Sequence, residues 1–125
     1  MPIVFETDKE RDLTVFRLHG EIGLKDLLQA ISDYFAAGHT HLELYDLTEY
    51  DGTPFSVADI NRLADFVASR AGNYRTEGKT AVVAPRDIDF GNFRMLAALT
   101  DIETPYDFEV FRSLDKAVDW LGVTV

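Results

Sequence analysis

The stretch LYDLTEYDGTPFS, residues 44–56, holds the densest run of side chains able to do chemistry. Asp46, Glu49 and Asp51 supply carboxylates, Ser56 a hydroxyl, and Asp59 follows three residues later. Neighbouring acids can act as a general acid–base pair. Asp46 and Thr48, placed where a strand ends, would line the crevice at which α/β sheets take up ligands. Helix starts near Ser56 and Asp89 would aim N–H groups at the same rim, an anion subsite to which Arg86 and Arg94 add charge. A plainer reading stands beside this one. Asp46 and Thr48 tie the loop backbone by local hydrogen bonds, and the arginines pair with surface acids. Ser56 and Asp59 have the spacing of a capping box, with Asp in place of the more usual Glu. Tyr50 and Phe55 lie in a loop with no period to bury them; exposed, they would form an interface or the mouth of an apolar site.

Other chemistries have thinner support. His39 and His41 would share one side of a strand, but no third ligand has diagnostic spacing, so they read as a solvated turn. His19 ends a strand beside Gly20. The chain has no Cys, which excludes disulfides, thiolate nucleophiles and Cys-based metal sites. It has no Gly-x-Ser-x-Gly elbow, and GTPFS, with one Gly and no Lys, is not a phosphate loop. No catalytic residue, metal or cofactor is expected; an Asp-dependent hydrolase is the third-ranked reading.

The elements that must position these residues follow from periodicity. The 125 residues have the size of one domain, 1–125, and bury roughly two-thirds of the surface the unfolded chain exposes. The order reads β-β-α-β-α-β-α-β-α. IVFETD and LTVFRLHG form a hairpin across KERD. Leu24, Leu27, Leu28, Ile31 and Phe35 make the apolar stripe of a first helix that stops at Gly38. HLELYDL is a strand with Leu42 and Leu44 on one side and Glu43 and Tyr45 on the other. Glu43 argues that this second side is not covered by a helix. Val57, Ile60, Ala64 and Val67 form the buried stripe of a second helix. KTAVVAP is apolar on both faces, as an inner strand is. A helix with Phe90, Phe93, Leu96 and Ala97 on neighbouring positions, the strand DFEVFRS and a helix capped by Ser113 complete the chain. Alternating strands and helices imply parallel pairing through right-handed crossovers, with the hairpin as an antiparallel edge.

Twenty-two acids against 12 Lys plus Arg leave a formal charge of −10, which repels phosphate backbones and anionic headgroups. Nucleic acid is thereby set aside as a partner. No apolar run is long enough for membrane insertion, and MPIVFETDKER lacks the pattern of a secretory signal, so a cytoplasmic location is expected.

LYDLTEYDGTPFSVADI resembles the strand–loop–helix stretch of the STAS superfamily, the SpoIIAA-like (anti-sigma-factor antagonist) fold. FGNFRMLAAL followed by EVFRSLDKAVDWLG is similar to the C-terminal half of small bacterial SpoIIAA-like proteins with STAS and CRAL-TRIO relatives. Gly91, Arg94 and Met95, then Val110, Phe111 and Arg112, then Trp120 and Leu121 carry that likeness. The resemblance implies a mixed sheet of about five strands with four helices packed mainly on one face, and non-enzymatic work. It also has a departure: the antagonists' phosphorylated Ser sits in an Asp-Ser doublet followed by Gly, whereas this chain has GTPFSVAD. The phosphorylation switch is therefore not carried over. The leading expectation is a regulatory or sensing module acting on a protein partner or on itself as a homodimer. The alternative is a carrier for a small apolar or amphipathic ligand. The proposed binding residues are Asp46, Thr48, Tyr50, Phe55, Ser56, Arg86 and Arg94.

Overall fold

A computed structural model describes residues 3–74, 78–100 and 107–123. Strands β1 (Ile3–Asp8) and β2 (Leu13–His19) form an antiparallel hairpin, and α1 (Leu24–Ala37) leads into β3 (Leu42–Glu49). Then come α2 (Val57–Tyr74), β4 (Lys79–Val83), α3 (Asp87–Thr100), β5 (Asp107–Phe111) and α4 (Leu114–Leu121). The strands lie in the order β1-β2-β3-β4-β5, parallel from β2 onward, giving a five-stranded mixed sheet with four helices. Each helix after β2 therefore starts at the same edge of the sheet, where the parallel strands end.

The two faces are covered unequally. Phe5, Phe16, Leu18, Leu47 and Val82 point into a core closed by α1, α2 and α3 through Leu27, Ile31, Ile60, Leu63, Phe93 and Leu96. On the opposite face Leu13, Leu44, Ala81 and Val83 meet α4, through Ala117 and Leu121. Each Val, Leu, Ile or Phe among them contributes about 1.5–3 kcal/mol when taken out of water. α4 owes its sharp ends to its caps: Ser113 Oγ accepts the Lys116 N–H at 3.4 Å, and Gly122 adopts φ 77°.

Two expectations need correction. Glu43 does not lie on an open face. Alternation puts it with Tyr45 and Leu47 on the side that α1–α3 cover, where it is buried and accepts the Thr80 hydroxyl at 3.2 Å. Val57 is not part of the buried stripe: it is 62% exposed, because it is the first residue of α2 and burial in that turn begins only at Ile60.

Polar groups inside the core are tied into a local network. Thr14 Oγ1 lies 3.0 Å from Thr7 Oγ1 and 2.9 Å from Thr40 Oγ1. The Thr40 N–H donates to Tyr34 Oη at 2.9 Å, and the Tyr34 hydroxyl donates to the Thr40 carbonyl at 3.3 Å. The network holds the turn before β3 against α1 and β2. Burial, reinforced by the negative charge of Glu43, pushes the Tyr34 phenol well above its ordinary value of 10.0.

Tyr34→Phe is expected to lower the unfolding free energy by about 1–3 kcal/mol, because the buried Thr40 N–H loses its acceptor. Urea denaturation at neutral pH measures this. A phenol whose folded-state value is raised stabilises fully below the unfolded value, and this contribution is lost as pH rises through the folded value. Stability of the wild type is therefore expected to fall above pH 10.0 more steeply than that of Tyr34→Phe.

Candidate functional site

The β3–α2 loop at the edge where the parallel strands end is built inward from its backbone. Asp46 Oδ1 accepts the Thr48 N–H at 2.9 Å, so these two side by side shape the end of β3. Ser56 and Asp59 form a reciprocal capping box: Ser56 Oγ accepts the Asp59 N–H at 3.1 Å, and Asp59 Oδ2 accepts the Ser56 N–H at 3.2 Å. Two of the donors that would serve an anion at α2, the Ser56 and Asp59 N–H groups, are thus already engaged by the chain's own side chains.

Tyr50 and Phe55 are not exposed, contrary to the expectation drawn from their aperiodic loop. They are 2% and 5% accessible and stack on one another at 6.0 Å. Phe55 meets the edge of Phe93 at 6.3 Å, and its carbonyl accepts Asn92 Nδ2 at 3.0 Å. The Tyr50 hydroxyl donates to the Thr53 carbonyl. Burial raises the Tyr50 phenol, and Asp89 and Glu21 raise it further against the opposing charge of Arg86. Tertiary packing from α3 buries this loop, and no local pattern encodes that.

Arg86 is the tie between layers. Its Nε donates to Asp89 Oδ2 at 2.6 Å and its Nη2 to Asp89 Oδ1 at 3.2 Å, a two-pronged pair with a carboxylate that is itself buried. Nη2 also donates to the Gly52 carbonyl at 3.0 Å, and the guanidinium lies over the Tyr50 ring at 5.1 Å. The hydrogen bonds to Asp89 hold Arg86 still more firmly protonated than usual. Its partner is a buried acid, where a surface acid was expected.

Gly52 completes the closure. A Cβ there would lie 2.6 Å from the Gly20 carbonyl oxygen and 3.0 Å from Glu21 Cα, so only glycine allows the two loops to touch. Glu21 Oε1 accepts both the Thr53 N–H at 2.7 Å and the Thr53 hydroxyl at 3.0 Å. In the sequence Glu21 gives no signal, Gly52 reads as a turn former and Asp89 as the start of a helix. The Arg86-x-x-Asp89 spacing at a helix start was the available signal.

The expected recess at this edge is therefore filled. Tyr50, Phe55 and the Arg86–Asp89 pair occupy it. Arg94 does not join them: two turns along α3, it faces Phe90 at 5.7 Å and lines a groove with Phe108, Glu109 and Val110 of β5. Between the sheet and α1–α3 lies a cavity of about 30 Å³ lined by Leu27, Leu63, Phe93, Glu43 and Thr80 among others. That volume suits water; a dry cavity that takes up benzene is about 150 Å³. At the far edge of the sheet His41 Nδ1 contacts Asp12 Oδ2. Burial of Asp12 opposes its ionisation, but the hydrogen bonds and charge of His41 outweigh this and lower its pKa. Among the described residues no group of three His, Cys, Asp or Glu could hold a metal ion.

No protein-family model and no curated protein matches the sequence. Among solved structures, the crystal structure of an anti-sigma factor antagonist from Mycobacterium paratuberculosis is similar, with a TM-score of 0.55 over 97% of this chain and 93% of that one at 17% identity. The chain thus has the SpoIIAA-like fold that the sequence resemblance implied.

Gly52→Ala is expected to cost about 1–3 kcal/mol, since a backbone carbonyl and not a flexible side chain must give way. Arg86→Leu is expected to cost about 3 kcal/mol by leaving Asp89 buried without its cation, and Arg86→Leu with Asp89→Leu to recover most of that. Equilibrium denaturation of the three variants checks both values.

Proposed function

We propose that this chain is a non-catalytic regulatory or sensing module that works through protein–protein contact at the edge where its parallel strands end. One observation carries the reading: that edge is filled and apolar on its outside. Val57 in the first turn of α2 and Ile88 in that of α3 are 62% and 52% exposed, and Leu114 opens α4 partly exposed. A filled edge offers a surface, and aliphatics exposed together at one edge of the sheet are what a contact patch for another protein is built from. Glu21, Asp26, Glu49 and Asp51 are exposed on the loops and first turn around it. The partner that fits is an apolar patch flanked by Lys and Arg.

The structural neighbour's designation supports the same class of work, since an anti-sigma factor antagonist acts on another protein. Ser56 serves here as the helix cap, so partner binding in this reading needs no phosphorylation of it. The carrier alternative has less support, because the cavity inside the core, about 30 Å³, has no room for an acyl chain, and the groove beside Arg94, about 420 Å³, is a polar surface groove. Asp46, the residue an acid-dependent hydrolase would use, holds the Thr48 N–H.

The test uses wild type and Val57→Glu as baits. A partner identified by mass spectrometry is then purified and titrated against both. Losing the burial of one valine, about 1.5–3 kcal/mol, corresponds to at least a tenfold weaker complex for Val57→Glu. Equal affinity for the two would remove this edge as the contact surface. Turnover of a substrate lost in Asp46→Asn would replace the reading with an enzymatic one.

A further inference from the structure

α3 is apolar on two sides. Phe93 and Leu96 fill the core, as one face of a surface helix should. The opposite side carries Ile88, Gly91, Met95, Ala98 and Leu99, a second stripe at i, i+3, i+7, i+10 and i+11. Ile88 and Leu99 are 52% and 43% exposed, Gly91 and Ala98 are exposed, and Met95 is half-buried. A second apolar stripe on a surface helix calls for something to cover it, and among the described residues nothing buries this one.

Gly91 sharpens the point. Glycine inside a helix is less favourable than alanine by about 0.5–1 kcal/mol. Nothing among the described residues requires it: a Cβ built at Gly91 meets none of their atoms within 4 Å. At Gly52 the fold itself explains the missing side chain; at Gly91 it does not. A backbone approaching from outside the chain does.

We propose that the outer face of α3 is the contact through which two copies of this chain pair. Charge selects the occupant. Each copy carries −10, so pairing is favoured where few unpaired carboxylates are presented. The outward faces of α1, α2 and α4 carry Asp33, Asp65 and Asp119, whereas α3 has no acid from Gly91 to Leu99, and Asp87 at its start is paired with Arg112. A basic partner would instead be drawn to the acidic loops. The stripe also matches itself. An antiparallel pairing about a two-fold axis near the midpoint of α3 sets Ile88 against the partner's Leu99 and Gly91 against the partner's Met95. The contact is then isologous and closes at two copies. It lies on the outside of the helix layer that covers Glu43, where an open strand face was once expected.

Sedimentation equilibrium of wild type, Gly91→Gln, Leu99→Glu and Val4→Glu from micromolar to millimolar concentration tests this, with far-ultraviolet circular dichroism confirming the fold of each. Glutamine is a better helix former than glycine, so Gly91→Gln keeps α3 intact while filling the approach. The expected result is a monomer–dimer equilibrium for wild type, unchanged by Val4→Glu on the uncovered sheet face. It is at least tenfold weaker in Gly91→Gln and absent in Leu99→Glu. Wild type that stays monomeric at millimolar concentration overturns the proposal, whatever else binds that face. So does pairing in Gly91→Gln and Leu99→Glu as strong as in wild type, or pairing lost in Val4→Glu.

Discussion

The contact that the rest of the structure depends on is the one between two loops: the Gly52 backbone against the carbonyl of Gly20, held from above by Arg86. It joins the turn after β2 to the turn after β3. The same guanidinium grips Asp89 at the start of α3. Three consecutive parallel strands thus have their exits bound together by one cation and one missing side chain. In most open α/β sheets the exits diverge and leave a crevice. Here the space is taken by Tyr50 and Phe55, and what remains for other molecules is the outside.

A closed and braced edge also has an energetic meaning for binding. Ordering loops and side chains on association costs free energy, and a surface already fixed avoids most of it. The Ser56–Asp59 box, the Glu21–Thr53 bonds and the Tyr50–Thr53 contact fix the loop between β3 and α2. The groups left free to meet a partner are then few and placed: the first turns of α2 and α3. Beneath them the Thr7–Thr14–Thr40–Tyr34 network fixes the opposite end of β2 and β3 against α1.

Periodicity made the scaffold legible. The hairpin, the stripe through Leu27 and Ile31, the apolar β4 and the Ser56–Asp59 cap all express local rules, and each stands where those rules put it. The errors arose where distant parts of the chain decide. For β3 the alternation was read correctly, but a lone carboxylate was assigned to water; Thr80 across the ladder made its burial possible. Val57 follows the helical period yet stands at the first residue of α2, ahead of the burial that begins at Ile60. Tyr50 and Phe55 are buried by α3, about 40 residues further on, through partners such as Phe93 that no window around the loop contains. Arg94 shares a helix with Arg86 but not its end. Gly52 was visible as a turn former, while the carbonyl it must clear belongs to another loop.

The unequal covering of the sheet has a consequence for how the chain reaches its final form in a cell. The helices over the larger core alternate with the strands, so that side can assemble piecewise as the polypeptide is made. The smaller face cannot. Leu13, Leu44, Ala81 and Val83 come off the ribosome long before Ala117 and Leu121, which cover them from α4. Until residues 114–121 have been synthesised these side chains stay in contact with water. Closure of that side is a late event, delayed by translation and not by the chemistry of folding.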